Sequence, residues 1–250
     1  MFSALKMANK EDGEWLAKKE AEYLKNLDQM KSNFLSLISH DLKTPIAKIQ
    51  AITERLKKEK DLFKYYEHLE SIEKSNDELK NYILNILNLS KIENSSLVLN
   101  IKSHDINLLI EEQLTRLNFF AQRKSISIET ELEPMFAIEY DEDLIKQVIS
   151  NLIDNAIKYS PDNSVIKIKS YEENNMCVVE VVDNGEGIPH DKLNLLFKKF
   201  SRLTPYTGDS VKGTGLGLYL SKFFIDMHGG DITVKPARFG GSRFIFRLPI

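Results

Sequence analysis

Cysteine is nearly missing from this sequence, with Cys177 the only one. A single thiol closes no disulfide within one chain and builds no cysteine-based metal site, so a reducing, cytoplasmic setting is expected. Long hydrophobic runs are missing too. None approaches the ~20 apolar residues needed to cross a bilayer, and the charged N-terminus lacks the apolar core of a signal peptide. No membrane segment is therefore expected in this chain. Nor is there an excess of positive charge: the formal net charge is -3. That removes the electrostatic footprint that draws proteins to phosphate backbones and argues against nucleic acid as a partner. Internal repeats and low-complexity stretches are also absent. What remains is an ordinary folded composition, 42% hydrophobic and 28% charged over 250 residues. This is enough for about two domains, each able to bury a core.

Two apolar stripes organise the first part. Leu16, Tyr23, Leu27, Met30, Phe34, Ile38, Leu42, Ile46, Ile49, Ile52 and Leu56 recur at steps of seven, four and three. That spacing predicts a long helix packed along its whole length against other helices. After the polar break from Lys57 to Asp61 a second stripe runs through Leu62, Tyr66, Leu69, Ile72, Leu79, Ile83, Ile86 and Leu89. One hairpin has one apolar face and nothing of its own to cover it, so a dimeric four-helix bundle is predicted.

Past Asn94 to Ser96 the period changes to two, at residues 97–101, 126–130, 165–168 and 178–182. Helical stretches at 106–123, 141–159 and 216–227 alternate with these runs, and a last strand pair, 231–234 and 242–248, flanks Phe239-Gly240-Gly241. The second part reads as an α+β or α/β sandwich, with a domain boundary near Ser95.

His40 lies two residues from the core positions 38 and 42. At about 100° per residue it projects away from the buried stripe. A solvated imidazole beside a carboxylate keeps much of its neutral form at pH 7, which leaves one ring nitrogen free to attack. Asp41 could hold the other ring nitrogen as N–H, and Thr44 shares the same patch one turn on. A lone histidine is usually only a surface residue, as His68, His104, His190 and His228 are read here. The neighbouring boxes reverse that judgement.

Asp183-Asn184-Gly185-Glu186-Gly187 follows a buried strand and supplies a carboxylate, then two glycines where a ligand can approach the backbone. Such a carboxylate can accept a hydrogen bond from the exocyclic amine of adenine. Gly213-Thr214-Gly215-Leu216-Gly217-Leu218 leads into an apolar helix whose N-terminal N–H groups suit phosphate oxygens. No Gly-Lys-Ser/Thr follows, which excludes a P-loop, and the late position of the second box disfavours a dinucleotide fold. Asn151 and Asn155 share a helix face, with Lys158 and Tyr159 at the next steps. A neutral amide oxygen there can join the octahedral shell of Mg²⁺.

Taken together these residues resemble the sensor histidine kinases of two-component systems, over roughly residues 25 to 249. The H-box is matched by His40 to Pro45, the N-box by Asn151 to Tyr159 and the first glycine box by Asp183 to Gly187. The F-box is matched by Phe197 to Arg202, which includes Phe200, and the second glycine box by Gly213 to Leu218. The resemblance implies an N-terminal signalling helix at 1–29, a dimerisation and phosphotransfer domain at 30–95, and an ATP-binding sandwich of the gyrase and Hsp90 type at 96–250.

It also implies roles. Asn155 stands as the magnesium ligand with Asn151 in support, Lys158 as a phosphate contact, and Tyr159 as a neighbour of the adenine that Asp183 reads. Gly185, Gly187, Phe200, Gly213, Thr214, Gly215, Leu216 and Gly217 complete the nucleotide site. Arg202 would reach the γ-phosphate of ATP. Asp41 would assist His40, and Thr44 would position water for dephosphorylation of the partner. Asp41 replaces the glutamate of many members and is one methylene shorter. The implied enzyme is a homodimer that phosphorylates His40 and passes the group to the receiver domain of a response regulator. An upstream sensor or membrane domain would act through the first helix. Two rivals compete with this reading: an ATP-driven clamp without a phosphoprotein intermediate, which has no use for the H-box, and a kinase-dead dimeric scaffold.

Overall fold

The structure, a computed structural model, describes residues 42–59, 61–201, 215–237 and 240–250, together with residues 19, 22, 25, 36 and 39. His40, Asp41, Arg202, Gly213 and Thr214 lie outside the described residues, as does most of the predicted N-terminal helix. The chain forms two compact units, Met1–Tyr82 and Ile83–Ile250.

In the first unit α1, described over residues 42–56, is followed by a turn at 57–59 and then by α2, Leu62–Glu93. The polar break thus forms the predicted turn. Asp61 begins α2 by accepting the backbone N–H of Phe63 at 2.9 Å, an N-terminal cap that satisfies an otherwise orphaned donor. The stripe is only partly covered within one chain. Ile52 is buried, whereas Leu62 is 69% exposed, Tyr66 59% and Ile46 42%. The last turns of α2, from Ile83, belong to the second unit.

That unit is an α/β sandwich. Its sheet has the order β2-β4-β5-β7-β6, formed by β2 (Ser127–Leu132), β4 (Val165–Glu173), β5 (Met176–Val182), β6 (Asp231–Pro236) and β7 (Ser242–Pro249). All pairs are antiparallel except β2 with β4, which run parallel. A parallel pair needs a long crossover, and here it carries α4, Glu142–Tyr159. Helices α3 (Ile106–Arg123) and α5 (Gly217–Met227) complete the helical layer.

The pleat separates two chemistries. Ile168, Val181 and Phe244 stand side by side in the register, as do Val179, Phe246 and Ile232, and these bury the face toward the helices. On the opposite face Glu129 pairs with Lys167 and Glu131 with Lys169 across the parallel strands. Buried Glu180 accepts the hydroxyl of Tyr171 at 2.9 Å and lies 3.7 Å from Arg243. Opposite charges in register support the pairing.

Local sequence fixes the helix starts. Asp105 caps α3 through the backbone N–H groups of Asn107 and Leu108. Asp141 caps α4 with one oxygen on Leu144 N–H and accepts Asn100 N–H with the other. The strand expected at 97–101 is not formed. That segment is irregular, Val98 is 84% exposed, and the strand begins one residue later as β1, Lys102–His104. β1 pairs antiparallel with β3, Ile138–Tyr140, in a small separate sheet. The alternation in Leu97 to Ile101 therefore reflects an extended connection held by its N–H to Asp141, not a ladder.

Candidate nucleotide site

Helix α4 buries Leu144, Ile145, Val148, Ile149, Leu152, Ile153, Ala156 and Ile157. The residues between them, the two asparagines included, are left half-buried or exposed. Among them the side-chain N–H of Asn151 donates to the Ser221 hydroxyl on α5 at 3.0 Å. Asn155 donates to Asn151 Oδ1 at 3.5 Å, and Asn155 Oδ1 takes no hydrogen bond among the described residues. Lys158 is ion-paired with Asp154 one turn back, and Tyr159 is 54% exposed at the helix end.

Asp183 directly follows β5 and is only 4% exposed. Its Oδ1 accepts the backbone N–H of Gly185 at 2.9 Å and that of Ser242 at 3.0 Å. Among the described residues Oδ2 accepts nothing and is left for a donor from outside. Burial pushes this carboxyl above the ordinary carboxylate range, with the two N–H groups pulling the other way.

The glycines bring these pieces together because their neighbours leave no room for a side chain. A Cβ on Gly185 would sit 2.7 Å from the carbonyl oxygen of Tyr159. One on Gly241 would sit 2.0 Å from the carbonyl oxygen of Asp183, and Gly241 also has a positive φ of 85°. Gly215 packs on the backbone of Phe200 and Ser201, joining the second glycine box to the F-box, and Gly217 packs on the Asn151 amide. Gly187 faces Gly241, and Leu216 is buried at the start of α5. The second unit thus brings together Asn151, Asn155, Tyr159, Asp183, Gly185, Gly187, Phe200, Gly215, Leu216 and Gly217. Thr44 belongs to the first unit, half-buried on α1.

A cavity of about 290 Å³ opens between Tyr159, Ser160, Pro161, Asn184, Gly185 and Glu186. A larger hollow of about 580 Å³ lies on the opposite face of the sheet among Lys169, Tyr171, Glu180 and Arg243. Its charges largely neutralise one another and none of the glycine turns borders it, whereas Gly185 of the first glycine box lines the smaller cavity. Sequence reasoning did not single out Ser221, Ser242 or Gly241. His228, read from the sequence as a surface histidine, is instead half-buried: its Nε2 accepts the Asp141 N–H at 3.0 Å while Nδ1 donates to the Phe224 carbonyl. The late glycine pair and the serine one turn into α5 were the available signals.

Residues 140–250 match the family of histidine kinase-, DNA gyrase B- and HSP90-like ATPases. Residues 30–95 match the His Kinase A (phospho-acceptor) domain. The sensor histidine kinase TmoS of Ectopseudomonas mendocina is 30% identical over 232 residues, which cover 92% of this chain and 24% of TmoS. The chain spans about a quarter or less of the length of the first such curated relatives. Among solved structures, the catalytic domain of histidine kinase ThkA is 31% identical, with a TM-score of 0.54, covering 60% of this chain and 97% of that one. ThkA in complex with the response regulator protein TrrA is 26% identical, with a TM-score of 0.59, covering 93% of this chain and 64% of that one. With a phospho-acceptor segment followed by an ATPase sandwich whose glycine turns meet an asparagine face, the chain belongs to the sensor histidine kinases.

Proposed function

We infer that this chain transfers the γ-phosphoryl group of ATP to His40 and hands it to an aspartate in the receiver domain of a response regulator. One observation carries the reading. In the second unit a buried carboxylate, a cavity at the Gly185 turn that we read as the seat of the adenine, and an amide-bearing helix face are held together, while the same chain matches a phospho-acceptor domain around His40. The partner follows from the complex that ThkA forms with TrrA. The working scheme assigns 1–29 to a signalling helix, 30–95 to dimerisation and phosphotransfer, and 96–250 to catalysis. The exposed apolar residues of α1 and α2 are those a second copy would cover in a four-helix bundle. The setting is the cytoplasm. Any upstream sensor or membrane domain would act through the first helix.

The residues present fit a magnesium nucleotide. Asp183 Oδ2 would accept the adenine amine, Tyr159 would pack beside the base, and Asn155 Oδ1 would serve as the magnesium ligand with Asn151 holding its neighbour in place. Lys158, Arg202 and the Gly213–Gly217 turn, Thr214 and Leu216 included, would contact the phosphates. Bound Mg²⁺ would supply neutralisation of charge on the phosphate oxygens. One His40 ring nitrogen then forms a bond to the γ-phosphorus as the bond from that phosphorus to the β,γ-bridging oxygen breaks, and ADP leaves. Asp41 holds the proton on the second ring nitrogen. In the next step the receiver carboxylate takes the phosphoryl group, and imidazole is the leaving group.

Incubation with γ-labelled ATP tests the reading. Label that is lost in acid, survives base and disappears in His40→Ala is the expected result. Acid-labile label persisting in His40→Ala would remove His40 as the nucleophile.

A further inference from the structure

Helix α4 leaves four carbonyls without helical partners at its end, as any α-helix does. Here one side chain outside the boxes collects three of them. The ammonium of Lys124 donates to the carbonyl oxygens of Ile157 at 3.0 Å, Lys158 at 3.3 Å and Ser160 at 2.6 Å. The remaining carbonyl, that of Tyr159, is the one against which Gly185 packs with no room for a Cβ. Lys124 acts through its backbone too, since its carbonyl accepts Asn163 N–H at 2.9 Å and so pins the loop that follows the helix. A cation at a helix C-terminus is also favoured by the macrodipole.

Tyr159, Ser160 and Pro161 form one wall of the 290 Å³ cavity, and Asn184, Gly185 and Glu186 the other. The first wall is therefore a helix end whose carbonyls are gathered by Lys124. We propose that Lys124 is a positioning residue for the base of the nucleotide: it fixes the end of α4 so that Tyr159 and the Gly185 turn keep the cavity open at the width of an adenine. This rests on the reading of the cavity as the adenine seat. Lys124 touches neither substrate nor reacting atoms, so its loss weakens binding of ATP and ADP alike and leaves the transfer step to His40 intact.

The test uses the full chain in four forms: wild type, Lys124→Met, Lys124→Gln and Lys124→Arg. Equilibrium binding of ATP and ADP is measured alongside KM and kcat for self-labelling, at a temperature where circular dichroism shows each variant folded. Removing a charge-assisted contact is expected to raise Kd for both nucleotides and KM for ATP by about tenfold in the Met and Gln forms. kcat at saturating ATP should stay within about twofold, and arginine, which can also reach several carbonyls, should recover most of the affinity. A lysine that only stabilises the fold would lower the melting temperature and leave Kd unchanged, which would overturn the proposal. So would a fall in kcat at unchanged KM. Wild type that bound no nucleotide at all would remove the reading of the site itself, and this proposal with it.

Discussion

Asn151 and Gly217 lie so close that a Cβ on the glycine would sit 2.3 Å from the asparagine Oδ1. The amide cannot simply swing away, because its N–H is held by Ser221 and its oxygen receives Asn155. Gly217→Ala should therefore displace the amide pair while leaving α5 intact, since alanine in a first helical turn is the better helix former. Nucleotide affinity is expected to fall at least about tenfold, with the melting temperature lowered because the lost amide hydrogen bonds outweigh the gain in helix propensity. Binding isotherms and thermal melts check both halves, and unaltered affinity would separate Asn151 from the nucleotide site.

Asp183 sets up an opposition between stability and binding. Because burial raises its pKa, the folded chain holds this proton more tightly than the unfolded chain. The contribution to stability is then complete below the ordinary aspartate pKa and is lost as pH rises through the window up to the raised value. At neutral pH the ionised, buried carboxylate is a cost. Asp183→Asn should remove that loss, so melts across the acidic range should be flatter for the variant than for wild type. Its oxygen must still face Gly185 and Ser242, so the new amide N–H₂ takes the place of Oδ2 and meets the adenine amine donor to donor. ATP affinity should drop by at least about tenfold. A variant with wild-type affinity would show that Oδ2 does not read the base.

Under the proposed function Thr44, half-buried on α1, would guide the removal of phosphate from the partner and not its delivery. Thr44→Ala should self-label within about twofold of wild type, yet dephosphorylate a labelled receiver domain roughly tenfold more slowly, as expected when an attacking water loses its guide. Parallel time courses of the two reactions provide the check. Equal loss in both would dissolve the division of labour.

Tyr140 carries a hydroxyl that is fully buried and has no hydrogen-bond partner among the described residues, and burial holds its pKa above the ordinary tyrosine value. The ring packs on His104, with centroids 5.3 Å apart. Tyr140→Phe keeps the ring and deletes only the unsatisfied group, so urea denaturation should give a stability unchanged or raised by up to ~1 kcal/mol. A loss of more than that would reveal a partner for the hydroxyl.

The second unit was readable where one element carries its own signal. Val148, Ile149, Leu152, Ile153, Ala156 and Ile157 of α4 are all buried, because a 3.6-residue period states which side of a helix faces inward. The same period put Asn151 and Asn155 on a common face. Legibility ended where contacts span long stretches of chain. Lys124 meets the end of α4 from more than thirty residues away, and no local pattern distinguishes it from the other lysines. β3 is three residues long, too short for alternation to register. The run at 97–101 alternates as a strand would, yet its neighbours offer it no ladder. The parallel placement of β2 was equally hidden, since strand direction depends on where the connecting helix is laid.

That placement has a consequence for assembly of the molecule. Helix α4 is the link that allows β2 to lie alongside β4, so the polypeptide cannot finish its sheet until the amide-bearing helix has crossed it. Long-range parallel pairing is a slow event in folding, and before it happens β4 is an open edge able to recruit another chain. Laying β2 down hands the edge position from a nine-residue strand to a six-residue one whose glutamates are exposed. The crossing of α4 and the blunting of that edge thus belong to the same event.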